Sequence, residues 1–302
     1  LGPWYPARRL GAALAPLLTA VVLAGCYPTA AARPSGSGRR RYRDRVFSSY
    51  LVTRDITYGE APDIQGHPVT LRLDLYQPKG DHLAQRPILI WAHGGGFEYG
   101  TNREGISPTI GAAFARRGYV VATIDYRMSS AELCGGEVTA DCSTKVALEA
   151  IQDGQTAVRW ARANAARYRL DPDRVAAGGE SAGGMMAAGA GLMSDQPGVG
   201  VGSNPGESSK VEAWVSISAG FPGGQMVDAH DAPGELINGS ADPNVPWVWA
   251  DQTAHAMQAA HVPVVLHTYW GAGHLPYQYL TDMLHQITYF LYDHLDLAKA
   301  PS

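Results

Sequence analysis

The chain has 302 residues, of which 45% are apolar and 17% charged, and its 24 Lys and Arg against 28 Asp and Glu give a net charge of −4. This composition can form a full core, and the 35 Gly and 20 Pro follow no period, which excludes disordered, collagen-like and low-complexity classes. No apolar stretch reaches the roughly 20 residues that a membrane-spanning helix needs, so the sequence predicts no integral membrane protein.

Residues 1–25 have the layout of an export signal peptide. Two arginines precede an apolar run that ends in small residues before Cys26. Residues 23–26, Leu-Ala-Gly-Cys, resemble a bacterial lipobox, in which the cysteine is lipidated and becomes the new N-terminus. We therefore predict a cell-envelope lipoprotein that contacts the membrane through a lipid anchor on Cys26. The alternative is a secreted protein with an ordinary signal peptide.

The next segment, residues 26–45, contains six arginines and one acid, whereas the chain from residue 46 onward is acidic. We predict a basic, flexible tether over residues 26–45 and one folded domain over residues 46–302. The arginines are either solvated or lie against anionic lipid headgroups. An acidic domain argues against nucleic acid as a partner.

From residue 51 onward, the pattern predicts strands that alternate with helices. Residues 51–58 and 69–76 alternate apolar and polar side chains, as half-exposed strands do. The later strands are continuous apolar runs, typical of strands buried on both faces. They are predicted at residues 87–92, 119–126, 174–178, 211–218, 234–238 and 263–269. The helices are predicted at residues 110–117, 145–168, from 182, near 251–260 and from 277.

Repeated strand–helix units predict an α/β protein with a mostly parallel central sheet and helices on both faces, the two N-terminal strands being antiparallel. Ligands of such sheets bind at the carboxyl ends of the strands. Only about fifteen residues separate the strands at 211–218 and 234–238, too few for a large helical lid.

A nucleophile motif lies at one of these strand ends. Residues 179–183, Gly-Glu-Ser-Ala-Gly, fit G-x-S-x-G and join the strand at 174–178 to the helix that begins at Ala182. The flanking glycines permit a tight turn that exposes the Ser181 hydroxyl. The helix directs its N-terminal N–H groups towards an anion formed there. We predict that Ser181 is a nucleophile.

Residues 93–97, His-Gly-Gly-Gly-Phe, follow the strand at 87–92. Glycines let backbone N–H groups approach a substrate closely, and such donors stabilise an oxyanion. We predict an oxyanion-binding loop here, with a plain glycine turn as the alternative. His93 is expected to brace this loop and not to transfer protons.

A serine nucleophile needs a base, and the base needs an acid that orients it. His274 follows the strand at 263–269 and Asp242 follows the strand at 234–238, so both are predicted at carboxyl ends, close to Ser181. The rival polar cluster is Asp228, His230 and Asp231. Three other histidines lie on predicted helices and are expected at the surface: His255, His261 and His285.

Over roughly residues 50–295, several separated motifs resemble the carboxylesterases of the hormone-sensitive-lipase-related group. The chain order Ser181, Asp242, His274 is that of the α/β-hydrolases. The other motifs are the glycine-rich loop, Asp-Tyr-Arg at 125–127, Arg-Trp at 159–160, Asp-Pro-Asp-Arg at 171–174 and the residues 179–184. The resemblance implies the α/β-hydrolase fold and assigns the oxyanion-hole N–H groups to Gly95, Gly96 and Ala182.

The chain departs from that group at three places. Met-Ser-Ser at 128–130 replaces the start of Leu-Ala-Pro-Glu, and Gly-Glu-Ser replaces the usual Gly-Asp-Ser and resembles type B carboxylesterases. Residues 241–246, Ala-Asp-Pro-Asn-Val-Pro, look like the acid motif of acetyl esterases and prolyl-peptidase-type hydrolases. These differences leave the substrate open.

Together these features predict a serine ester hydrolase that forms an acyl-enzyme with a small-molecule ester, of short-acyl or aromatic type. The chain has no C-x-x-C set or H-E-x-x-H motif, so neither a metal nor another cofactor is implied. The predicted substrate-binding residues are Phe97, Tyr99, Trp247 and Tyr277, and Trp249 is also expected at the rim of the site; core packing is the alternative for these aromatic residues. The alternatives are a peptidase or amidase with the same machinery and a non-catalytic binding lipoprotein.

Two cysteines remain if Cys26 is lipidated, Cys134 and Cys142. An even count in an oxidising compartment predicts a disulfide between them, with two free thiols as the alternative.

Overall fold

The computed structural model describes residues 38–129, 140–195, 203–224 and 226–300. The strands in these ranges are β1 (Tyr50–Pro62), β2 (Pro68–Pro78), β3 (Arg86–Ala92), β4 (Val120–Ile124), β5 (Leu170–Glu180), β6 (Ala213–Ile217), β7 (Gly234–Gly239) and β8 (Val264–Tyr269). The α-helices are α1 (Ser107–Ala115), α2 (Ala140–Ala163), α3 (Ala165–Tyr168), α4 (Ala182–Leu192), α5 (Val248–Ala259) and α6 (Leu280–His294).

These strands form one sheet in the order β1-β2-β4-β3-β5-β6-β7-β8. The β1–β2 and β2–β4 pairs are antiparallel, and every other pair in this sheet is parallel. The predicted mostly parallel sheet with an antiparallel N-terminal part is therefore confirmed. Because β3 to β8 run in one direction, their carboxyl ends meet at one edge of the sheet, where Ser181, Asp242 and His274 follow β5, β7 and β8.

Each face of the sheet carries its own core. On one face, Ile151 of α2 and Met186 of α4 pack with buried strand residues such as Ile90. On the other face, α1 and α6 contribute Phe114 and Leu291. Because helices cover both faces, β3, β4, β6 and β7 are buried along their whole length. This burial explains why these strands are continuous apolar runs in the sequence.

The predicted elements are present, with shifts at their ends. The helix predicted at residues 145–168 is two helices, α2 and α3, that are separated at Asn164, whose side-chain Nδ2 donates to the Trp160 carbonyl at 3.0 Å. The connection from β6 to β7 contains one 3₁₀ turn, Pro222–Gly224, in its described part. None of the helices in the described ranges combines the length and the apolar character that crossing a bilayer requires.

The folded part begins earlier than the predicted boundary at residue 46. Tyr42 is 1% exposed and packs edge-on against Tyr119, with ring centroids 5.5 Å apart. Its N–H donates to the Arg117 carbonyl at 2.7 Å, and the neighbouring Arg41 forms an ion pair with Asp81. The last residues of the predicted tether thus belong to the domain, because an aromatic side chain within the basic run fills a core position.

Three predictions fall outside the described residues. The signal peptide over residues 1–25 and the lipidation of Cys26 precede residue 38. Cys134 lies in the gap between residues 129 and 140, so its disulfide with Cys142 also stays a prediction.

Candidate active site

Ser181 lies on a sharp turn between β5 and α4. Its backbone has φ 53° and ψ −119°, a conformation that residues other than glycine rarely adopt. A Cβ atom at Gly179 would lie 2.3 Å from the Gly183 carbonyl oxygen, and one at Gly183 would lie 2.3 Å from the Ala92 carbonyl oxygen. The turn therefore requires both glycines of the motif. The Ser181 N–H donates to the Ile217 carbonyl at 2.7 Å, which fixes the turn to β6.

The structure brings His274 to this serine. Its Nε2 lies 3.0 Å from the Ser181 Oγ, and its Nδ1 lies 2.7 Å from the Asp242 Oδ2. An ionised carboxylate only accepts hydrogen bonds, so Nδ1 carries the hydrogen and the Nε2 lone pair faces the serine hydroxyl. Ser181, His274 and Asp242, which lie far apart in the sequence, thus form one hydrogen-bonded chain.

The Asp242 carboxylate is held from both sides. Its side chain is fully buried, and its Oδ1 accepts the backbone N–H groups of Asn244 at 2.8 Å and Val245 at 2.9 Å. These two bonds come from the turn that follows β7 and leave Oδ2 for His274. The orientation of the carboxylate is therefore set by the backbone of its own loop.

The glycine-rich loop after β3 runs beside Ser181. Gly95, Gly96 and Phe97 have positive φ angles of 121°, 65° and 66°. A Cβ atom at Gly95 would lie 1.8 Å from the Tyr99 carbonyl oxygen, so this position excludes any side chain. Gly96 and Ala182 line the same pocket as Ser181, which places two of the three predicted oxyanion-hole residues next to the hydroxyl.

His93 braces this loop. Its Nδ1 donates to the Gly94 carbonyl at 2.6 Å, and its ring stacks on Tyr126 with centroids 4.5 Å apart. The Tyr126 hydroxyl in turn donates to the His93 carbonyl at 2.9 Å. Burial lowers the pKa of His93, so the imidazole is favoured in its neutral form.

A small pocket opens at Ser181, with a cavity volume of about 60 Å³. Its apolar wall consists of Phe97, Val146, Ala147, Met185, Val245 and Trp249. Of the four predicted substrate-binding residues, Phe97 lines this pocket. Met185 and Val245 were missed, although both follow a motif residue closely: Met185 is one helical turn after Ser181, and Val245 is three residues after Asp242.

The other predicted substrate-binding residues are not among those that line this pocket. Tyr99 is 69% exposed, and Trp247 packs against Trp270 with ring centroids 5.9 Å apart. The Tyr277 hydroxyl donates to Glu180, the residue before Ser181.

The rival polar cluster forms local hydrogen bonds. The Asp228 N–H donates to the Asp231 carboxylate, and the His230 N–H donates to the Asp228 carboxylate. Burial raises the pKa of Asp231 to about 6. The other three histidines are exposed: His255 on α5, His285 on α6, and His261 just after α5.

Residues 73–221 match the model of the BD-FAE family, a span that contains the glycine-rich loop and Ser181. Esterase LipC of Mycobacterium tuberculosis is 28% identical over 207 residues, which are 68% of this chain and 45% of that protein. The chain spans less than half the length of the curated relatives it matches.

Two solved structures share the architecture. A truncated carbohydrate esterase from gut microbiota superposes with a TM-score of 0.65 at 20% identity, over 84% of this chain and 98% of that one. Thermogutta terrifontis esterase 2, phosphorylated by paraoxon, superposes with a TM-score of 0.64 at 24% identity, over 84% and 97% of the two chains. The sheet order and the superpositions show an α/β-hydrolase fold, and the sequence matches show that the chain is similar to esterases and lipases.

Proposed function

We propose that the protein is a serine hydrolase that cleaves carboxylic esters of small molecules through an acyl-enzyme. The observation that carries this proposal is the hydrogen-bonded chain from the Ser181 Oγ through His274 to the buried Asp242. A chain of this kind makes a weak alcohol nucleophile reactive, because a neutral imidazole can take its proton.

In the first step, the Ser181 Oγ attacks the ester carbonyl carbon while His274 Nε2 takes the hydroxyl proton. Asp242 stays ionised and stabilises the imidazolium. The bond to the alcohol then breaks, and the leaving oxygen accepts the proton from Nε2. Water repeats the sequence on the acyl-enzyme: it gives a proton to His274, forms the acid, and the proton returns to the Ser181 Oγ.

The negative oxygen formed in each step needs hydrogen-bond donors. We assign the backbone N–H groups of Gly95, Gly96 and Ala182 to this role, because Gly96 and Ala182 border the pocket at Ser181 and α4 begins at Ala182. A helix N-terminus adds its positive dipole end to such a site. One fixed donor can lower the barrier by ~3 kcal/mol.

A fluorophosphonate probe tests this function directly. The purified protein is treated with the probe, digested and examined by mass spectrometry. We expect an adduct on Ser181, because the activated oxygen attacks phosphorus as it attacks an ester carbon. The paraoxon-phosphorylated Thermogutta terrifontis esterase 2 supports the choice of reagent. An unlabelled Ser181 together with no hydrolysis of p-nitrophenyl acetate would refute the proposal, and faster cleavage of the matching anilide would favour a peptidase.

The small apolar pocket predicts a preference for short acyl groups. We expect kcat/KM to fall by at least about tenfold from p-nitrophenyl butyrate to p-nitrophenyl palmitate, because a cavity of about 60 Å³ lined by Met185 and Trp249 is too small for a long acyl chain. Met185→Ala removes part of this wall and is expected to raise the relative rate on the octanoate ester. Equal rates on butyrate and palmitate would contradict the pocket assignment.

A further inference from the structure

We infer that Glu180 and Tyr277 form a positioning pair that holds His274 over Ser181 and stabilises its protonated form during the reaction. This inference rests on the proposed function and adds two residues to its machinery. Neither residue belongs to the hydrogen-bonded chain of Ser181, His274 and Asp242.

Glu180 lies in a buried site, here called the Glu180 niche, where hydrogen-bond donors of Tyr277, Ile106 and Gly94 surround its carboxylate. It directly precedes Ser181, is 2% exposed, and accepts hydrogen bonds from the Tyr277 hydroxyl at Oε2 and from the Ile106 N–H at Oε1, the latter at 3.4 Å. The N–H of Gly94, in the glycine-rich loop, also donates to it. Gly105 borders this site with φ 58°, and a Cβ atom at Gly105 would lie 2.2 Å from the Glu180 Oε1. Residue 105 therefore cannot carry a side chain while Glu180 occupies this position.

Tyr277 connects this niche to the histidine. It lies three residues after His274, in a tight turn in which Leu275 has φ 52° and the Tyr277 N–H donates to the Leu275 carbonyl at 2.7 Å. The Leu275 N–H donates to the Ser218 Oγ at 3.1 Å. The loop that carries His274 is therefore held at two points, by Ser218 after β6 and by Glu180 at the end of β5.

The charge of Glu180 also acts on His274. Among the residues that the structure describes, the titratable groups that interact with this carboxylate include His274, Tyr277 and Tyr126. Burial and Glu180 raise the pKa of both tyrosines, so they stay neutral, and the Tyr126 hydroxyl is bonded to the His93 carbonyl. Burial raises the pKa of Glu180 above its ordinary value, and the hydrogen bonds from Tyr277, Ile106 and Gly94 and the nearby His274 offset part of this rise. Because a charged His274 favours the carboxylate, the carboxylate in turn favours the imidazolium that forms when His274 takes the Ser181 proton.

The test measures kcat and KM for p-nitrophenyl acetate against pH in three variants. In Glu180→Gln, we expect kcat to fall about tenfold with little change in KM, and the acid limb of the profile to move to lower pH by about half a unit or more, because a neutral neighbour no longer favours protonated His274. Glu180→Asp keeps the charge but is one methylene too short to reach Tyr277, so its acid limb stays while kcat falls. Tyr277→Phe keeps the Glu180 charge and loses only the hydrogen bond from the tyrosine hydroxyl. We therefore expect the same result as for Glu180→Asp, a lower kcat with an unmoved acid limb.

The double variant Glu180→Gln/Tyr277→Phe is expected to lose little more kcat than Glu180→Gln alone, because the hydroxyl acts through the carboxylate. Tyr279→Phe and Glu207→Gln are the matched controls, since both residues are exposed. If Glu180→Gln leaves the acid limb unmoved and kcat within twofold of wild type, the positioning role of Glu180 and Tyr277 is overturned, but the proposed esterase function is not. A wild-type protein without turnover or probe adduct would overturn the esterase and the pair together. Thermal unfolding shows whether Glu180→Gln folds. If it does not, Tyr277→Phe tests the pair: a lower kcat with an unmoved acid limb supports it, and an unchanged kcat overturns it.

Discussion

Replacement of Ser181 by alanine is expected to lower kcat/KM for p-nitrophenyl acetate by at least about 10,000-fold. Without the Oγ no acyl-enzyme can form, and the residual rate comes from water attack assisted by His274 and the oxyanion donors. The variant should fold normally, because Ser181 holds the turn through its backbone N–H bond to Ile217. Initial rates and thermal unfolding of the same preparation check both statements.

The control is Ser48→Ala, which removes a hydroxyl from an exposed position before β1. Its kcat/KM should equal that of the unmodified protein. Ser181→Ala with more than about a tenth of the wild-type activity would show that another group attacks the ester, and the proposed mechanism would fail.

Replacement of Asp242 by asparagine is expected to lower kcat by about 1,000- to 10,000-fold. The carboxylate accepts three hydrogen bonds, from His274, Asn244 and Val245. If the asparagine oxygen keeps the two backbone bonds, its NH₂ group faces Nδ1 and forces the hydrogen onto Nε2. The imidazole then has no lone pair for the Ser181 proton, and the imidazolium has no counter-charge.

A pH series on Asp242→Asn checks this result, with Asp228→Asn as the matched control from the rival cluster. Asp228 accepts the N–H of His230 in a local turn, so its replacement should leave kcat within about twofold. Strong loss in Asp228→Asn with little loss in Asp242→Asn would reverse the assignment of the acid.

The turn at Ser181 could be predicted because its chemistry is local. A strand, two glycines at fixed offsets and a small-residue helix specify that geometry within a few residues. His274 and Asp242 could be found by a topological rule, since parallel strands bring their carboxyl ends to one edge of the sheet. Local chemistry and strand order therefore predicted the geometry that the structure shows for these three side chains.

The Glu180 niche could not be predicted in the same way. Its donors come from the loop after β3, the segment before α1 and the turn after His274, and no spacing in the sequence connects them. The same holds for part of the pocket wall: of the two tryptophans expected at its rim, Trp249 lines the cavity, whereas Trp247 packs on Trp270. Tyr42 was missed for another reason, because the charge of its neighbours suggested a solvated segment.

The buried position of Tyr42 determines where the chain enters the domain. Tyr42 packs on Tyr119, at the amino end of β4, whereas Ser181 follows the carboxyl end of the parallel strand β5. The entry point and the mouth of the pocket thus lie at opposite edges of the sheet. Burial of Tyr42 against Tyr119 holds this entry point at the edge of the sheet away from Ser181.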